Sequence, residues 1–103
     1  MIQIIKTDIF DAWLTQLRDH RARAKIMVRM ARLGMGNVGD VKPVGAGVSE
    51  MRINYGPGYR VYFMRRGPVV VVLLCGGDKT SQQQDIAQAK RIAAQWKEKD
   101  DAC

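Results

Sequence analysis

Apolar positions along the chain change period several times, and each change marks an element. Ile2–Lys6 reads as a short strand. Phe10, Trp13, Leu14 and Leu17 then recur at i, i+3, i+4 and i+7, the spacing of one helix face, with Asp8 as the expected N-cap. A second helix is predicted from about Arg21 to Leu33, with Ala22, Ile26, Met30 and Leu33 inward and Gly34 and Gly36 stopping it. Val41–Val44 contains Pro43, which restricts it to an edge strand or a loop. Val48–Tyr55 and Tyr59–Met64 flank Gly56-Pro57-Gly58, a turn sequence, and so read as a hairpin. Val69–Cys75 is uninterruptedly apolar, as expected of a central strand buried on both faces, and Gly76-Gly77 is expected to end it. Ser81 with Gln84 has the spacing of a capping box, and Ile86, Ala89, Ala93 and Trp96 continue as a final amphipathic helix. The polar end KEKDDAC is expected to be a mobile tail, so the domain is drawn as residues 1–98 with 99–103 outside it. The predicted class is α+β: an antiparallel β-meander flanked by two N-terminal helices and one C-terminal helix.

The hairpin carries the first chemical suggestion. A three-residue loop at Gly56–Gly58 would pair Tyr55 with Tyr59, Ile53 with Val61 and Met51 with Phe63, an apolar face for a helix to cover. The period of two then assigns Glu50, Arg52 and Asn54, with Arg60, Tyr62 and Met64, to the other face. In this register Arg52 stands opposite Tyr62, and Arg60 opposite Asn54. Two guanidinium groups sharing a patch repel unless an anion lies between them. That anion is either Glu50, in a surface ion-pair lattice of small energetic value, or a bound phosphate, for which arginine supplies planar paired donors and tyrosine a stacking plane.

Composition narrows the classes. The chain has 103 residues, with 17 Lys+Arg against 10 Asp+Glu and a net charge of +7. A domain this basic suits a polyanionic partner, nucleic acid or an acidic protein segment. Arg21, Lys25, Arg29 and Arg32 form a stripe on the second helix, to be read either as a solvated face or as a surface for phosphate or an acidic partner. No apolar run reaches the ~20 residues of a membrane span, and the N-terminus lacks a signal-peptide pattern, so a cytoplasmic location is expected. The two cysteines, Cys75 and Cys103, and the single histidine, His20, form neither a disulfide framework nor a metal-ligand spacing. No metal and no cofactor are expected. Gly76-Gly77-Asp78-Lys79-Thr80-Ser81 leads from a strand to a helix N-terminus, a place that favours anions, though the spacing is not that of a nucleotide-binding P-loop.

Taken together, "MRINYGPGYRVYF" and "LLCGGDKTSQQQDIAQAK", preceded by "FDAWLTQLRDHRARAKIMVRMARLGMGNVGDVKPVGAGVSEMRI", resemble the addiction-module killer proteins, a branch of the RelE/ParE superfamily close to HigB. The resemblance runs from about Phe10 to Ala94. It implies a curved antiparallel sheet flanked by helices. It further implies a toxin of a bacterial type II toxin–antitoxin system. RelE-like and HigB-like members cleave mRNA, usually on the ribosome, with basic residues of the sheet rather than a metal. ParE-like members inhibit DNA gyrase instead. The implied partners are mRNA, the ribosome and a cognate antitoxin, in HigB-type modules often a helix-turn-helix protein. Carried over by motif, the arginine of "GYR" is Arg60, the basic residue of the preceding strand is Arg52, and the basic residue after the last strand is Lys79. RelE-type ribonucleases carry a tyrosine or histidine near the C-terminal part of the site, and Thr80–Ala94 contains neither. Tyr62 is the candidate substitute. Lys42, Asn54, Arg29 and Arg32 complete the expected set as nucleic-acid contacts. The departure leaves a gyrase inhibitor and a non-catalytic nucleic-acid-binding regulator as the alternatives.

Overall fold

The computed structural model describes residues 1–102; Cys103 lies outside the described residues. The order is β1 (Gln3–Lys6), α1 (Asp8–Gln16), α2 (His20–Gly34), β2 (Val41–Gly45), β3 (Val48–Ile53), β4 (Tyr59–Arg65), β5 (Val70–Gly77), a 3₁₀ turn (Lys79–Ser81) and α3 (Gln82–Ala102). The five strands form one sheet in the order β1-β5-β4-β3-β2. The α+β class holds, and β2–β5 form the expected antiparallel meander. β1 adds a parallel edge beside β5. β5 is therefore interior, as its apolar run requires, although β4 occupies the middle of the sheet.

Local signals explain the boundaries. The cap of α1 is Thr7, one residue before the expected Asp8: its hydroxyl oxygen accepts from the Phe10 N–H at 3.0 Å and donates to the Leu74 carbonyl at 2.7 Å. One side chain thus starts the helix and ties it to β5. Asp19 caps α2, accepting from the N–H groups of Arg21 and Ala22. Gly36, in the left-handed region at φ 90°, closes the end of α2. At α3 the expected Ser81/Gln84 box is replaced by two other contacts. Asp78 accepts from the Thr80 N–H at 2.8 Å, and the Ser81 hydroxyl donates to Asp85 at 2.5 Å. α3 then runs unbroken through the segment set apart as a tail, as far as Ala102.

The sheet separates two apolar clusters. On one face Met51, Ile53, Val61, Phe63, Val71 and Leu73 pack with Phe10 and Leu14 of α1 and Ile26 and Leu33 of α2. On the other, Val48, Tyr62, Met64, Val72, Leu74 and Cys75 pack with Ala89, Ile92 and Ala93 of α3. Both faces are covered, so Val61–Met64 of β4 and Val71–Cys75 of β5 are buried without alternation. Among the described residues no helix is long and apolar enough to cross a membrane.

The hairpin register differs from the expected one by two residues. Ile53 pairs with Tyr59, Met51 with Val61 and Arg52 with Arg60. The loop is Asn54–Gly58, five residues, closed by the Gly58 N–H on the Tyr55 carbonyl at 3.1 Å. A shift of two preserves the faces where a shift of one would exchange them. Arg52, Arg60 and Tyr62 therefore remain on the side opposite Met51, Ile53, Val61 and Phe63, as predicted.

A bulge decides where the glycine pair points. Between Tyr62 and Phe63 the register on β5 jumps from Cys75 to Leu73. Leu74 and Cys75 consequently both belong to the α3-side cluster, and the alternation resumes one step out of phase. Gly76 then faces α1 and Gly77 faces α3. They are the last two residues of β5, so the strand ends at the pair as expected, with both glycines still paired in the sheet. A Cβ on Gly76 would overlap the Trp13 ring, while one on Gly77 would overlap the Asp85 carboxylate. The indole is wedged against Phe10 and Tyr59, whereas the carboxylate is the far end of a rotatable side chain held by the Ser81 hydroxyl. Gly76→Ala is expected to cost about 1–3 kcal/mol by overpacking, and Gly77→Ala less, as read from denaturant midpoints at unchanged m-value.

Candidate functional site

The α3-side face of β3 and β4 carries polar residues only near the hairpin, on two neighbouring rungs of the sheet. The first rung is Lys42–Glu50–Tyr62–Cys75 across β2, β3, β4 and β5. In the next, Arg60 stands between Arg52 and Gly77, and the Arg52 N–H donates to the Asp40 carbonyl at 3.0 Å. The absent side chain at Gly77 leaves room for Asp85 and Ser81 of the α3 start.

Among the described residues Glu50 is the charged side chain that the fold buries, at 1% exposure. Its Oε1 lies 3.6 Å from Arg52 Nε and 3.7 Å from Arg60 Nε. Its Oε2 accepts from the Tyr62 hydroxyl at 3.0 Å and from Gln82 Nε2 at 2.8 Å. Of the two readings of the arginine pair, the carboxylate between them is present, but buried beneath the patch rather than spread over its surface. Gln82 is the first residue of α3, so that helix is joined to the site by a direct side-chain bond.

Above this carboxylate lies a cleft of about 340 Å³ lined by Asp40, Arg52, Asn54, Gly56, Pro57, Gly58, Arg60 and Lys79. It brings together Arg52, Arg60, Lys79 and Asn54 from the expected set. The two glycines adopt positive φ, 58° at Gly56 and 82° at Gly58, and Gly58 lies close to both Arg60 Nη1 and Lys79. A side chain there would narrow the cleft. Asp40 is the residue that sequence reasoning missed. It precedes an edge strand and sits 4.0 Å from Arg52 Nε, and only the strand pairing places it beside the arginines.

The remaining expected residues fall elsewhere. Tyr62 is fully buried. Burial first, and then the hydrogen bond and charge of Glu50, push its phenol well above the ordinary value of 10.0. A phenol so enclosed reaches a substrate only through Glu50, which corrects its assignment as a group touching the reacting atoms. Lys42 is exposed and cross-strand from Glu50, outside the cleft lining. Arg29 is a strut: its guanidinium donates to the carbonyls of Arg52 at 2.5 Å and of Val38 and Asp40 at 3.3 Å, anchoring the approach to β2 against β3. Arg29 also lines, with Arg32, Lys25, Asn54, Ala24, Val28 and Ile53, a second cleft of about 370 Å³ on the α2 side. Asn54 is the residue common to both clefts. Tyr55, with Lys25 5.3 Å from its ring centre and its hydroxyl 3.4 Å from Asp19, ties the hairpin loop to α2.

Cys75 is buried, and burial, followed by the nearby Asp85 charge, pushes its thiol from 9.0 up to about 12. It is a packing residue, protonated at neutral pH. Among the described residues no group of three or more His, Cys, Asp or Glu side chains is placed to hold a metal ion.

The fold and the cleft define a small basic α+β protein with an arginine-lined site beside a hairpin loop. No family model matches the chain. It is 53% identical over 92 residues to an uncharacterized protein of Haemophilus influenzae, a match spanning 89% of this chain and 93% of that relative. The chain belongs to the family of that protein.

Two outcomes follow from these placements. Arg29→Ala removes charge-assisted bonds to three carbonyls and is expected to destabilise the fold by about 2 kcal/mol, whereas Arg32→Ala should stay within about 0.5 kcal/mol; urea unfolding separates them. The second concerns alkaline pH. The folded pKa values of Cys75 and Tyr62 lie above their ordinary values of 9.0 and 10.0. Their contribution is thus complete below about pH 9 and lost as pH rises through the folded values, because the unfolded chain releases those protons first. Stability should decline on the alkaline side, and a Cys75→Ala, Tyr62→Phe double variant should show a flatter decline.

Proposed function

We propose that this protein is the toxin of a type II toxin–antitoxin module, a metal-independent endoribonuclease that acts on mRNA and is neutralised by a co-encoded antitoxin. The observation that carries the reading is the convergence of Arg52, Arg60 and Lys79 on one cleft. They match the basic positions of the RelE-like and HigB-like motif, and Asn54 is exposed at the cleft's lip. Guanidinium groups favour phosphate through paired donors. The net charge of +7 suits both RNA and an acidic antitoxin segment.

The reaction is an attack of the ribose 2′-oxygen on the adjacent phosphorus. The new P–O2′ bond forms as the P–O5′ bond breaks, leaving a 2′,3′-cyclic phosphate and a 5′-hydroxyl. Asp40, the carboxylate lining the cleft, takes the 2′-hydroxyl proton. Lys79 gives a proton to the departing 5′-oxygen, and Arg60 and Arg52 stabilise charge on the phosphoryl oxygens. A second reading, inhibition of DNA gyrase, is favoured by one observation: neither a histidine nor an accessible tyrosine lines the cleft.

Expression of the wild-type protein without its antitoxin should arrest growth and produce discrete mRNA breaks mapped by primer extension. Arg60→Ala is expected to lower cleavage about a hundred- to a thousandfold in a protein still folded by circular dichroism but less stable, because Glu50 loses one of its cations. Arg60→Lys should restore little, since a point charge does not replace the planar fork. DNA damage without mRNA breaks would replace the ribonuclease reading with the gyrase one.

A further inference from the structure

The geometry points to Glu50 as a positioning residue for the cleft, a buried carboxylate that holds the Arg52 and Arg60 guanidiniums by their Nε sides and leaves their remaining donors to the substrate. The inference rests on the ribonuclease reading above and adds a residue which that reading does not use.

Five observations carry it. Arg52 and Arg60 are direct cross-strand partners, and like charges so placed repel. Glu50 is on the same face, two residues before Arg52, and its Oε1 lies between the two Nε atoms at 3.6 and 3.7 Å. Both Nε atoms are buried with no hydrogen-bond acceptor, so what fixes them is the charge of Oε1 just beyond hydrogen-bond length. Arg52 and Arg60 line the cleft, Glu50 does not, and Arg60 Nη1 lies beside Gly58 at its rim. The carboxylate is itself held by neutral donors on its far oxygen, Tyr62 from β4 and Gln82 from α3. Two strands and a helix therefore set the position of one anion, and that anion sets the position of two cations.

A group acting this way has opposite effects on binding and on turnover. Neutralising Glu50 raises the positive charge under the cleft, which strengthens attraction for a polyanion. It also frees the guanidiniums to separate, which weakens a reaction dependent on their placement. A residue needed only for folding would lower both together.

The experiment compares wild type, Glu50→Gln and Gln82→Ala. One measurement is kcat on the RNA site mapped for the wild type. The other is affinity for an oligonucleotide lacking the 2′-hydroxyl at that site, with circular dichroism as the folding control. Glu50→Gln is expected to lower kcat about ten- to a hundredfold while binding the uncleavable oligonucleotide as tightly as the wild type or more so. Gln82→Ala, which removes one neutral bond to Oε2, should lower kcat by a smaller factor at unchanged affinity. A folded Glu50→Gln protein with wild-type kcat overturns the inference alone, as does a parallel loss of affinity and turnover. Should Glu50→Gln fail to fold, Gln82→Ala decides: unchanged kcat overturns the inference. A wild-type protein inert toward RNA in cells and in vitro overturns the ribonuclease reading and this inference with it.

Discussion

The arrangement on the α3 side of the sheet depends on one buried charge. Burying an isolated carboxylate is costly, and so is holding two guanidiniums on facing strand positions. Glu50, Arg52 and Arg60 offset each other's cost, and Tyr62 and Gln82 complete the hydrogen bonding of the far carboxylate oxygen. Removing either cation would leave Glu50 under-compensated in a nearly dry environment, where a broken pair costs more than an intact one contributes. The same trio fixes where positive charge meets solvent, so the stability of this corner and the anion binding proposed for it share one cause.

Around that trio the backbone is braced from outside. Arg29 crosses from α2 to the carbonyls of Val38, Asp40 and Arg52, joining the lead into β2 to the end of β3. Its charge is spent on main-chain acceptors, which separates it from Arg32 and Lys25 on the same helical stripe. Tyr55 links the hairpin loop to the Asp19 cap of α2. The hydrogen bonds that Asp19 accepts, above all from the Ala22 N–H, hold its carboxyl below the ordinary carboxylate range. These braces set the walls of the cleft: Asp40 on one side, the Gly56–Gly58 loop above and Lys79 beyond. Asn54, shared with the second cleft, connects the arginine site to the cationic face of α2.

How much of this was legible beforehand depends on the range of the interaction involved. Periodicity and turn chemistry act within a few residues, and from them the chain alone determined the element order, the α+β class, the two faces of the hairpin and the grouping of Arg52 with Arg60. The face assignment survived a wrong register because the error was two residues, one full period of the strand. The proposed likeness to RelE/ParE toxins added the choice of Arg60, Arg52 and Lys79, three positions that the fold brings to one cleft. Tertiary structure alone decided the rest, because each remaining feature is set by residues distant in the chain. The parallel pairing of β1 with β5 and the bulge that turns Gly76 toward Trp13 and Gly77 toward Asp85 are matters of strand partnership. The depth of Glu50 depends on α3, more than thirty residues away, which covers it and supplies Gln82. Tyr62 has the alternation of a site residue, but that same helix seals it, and Arg29 has the spacing of a surface cation, but three carbonyls that only the folded chain assembles claim its charge.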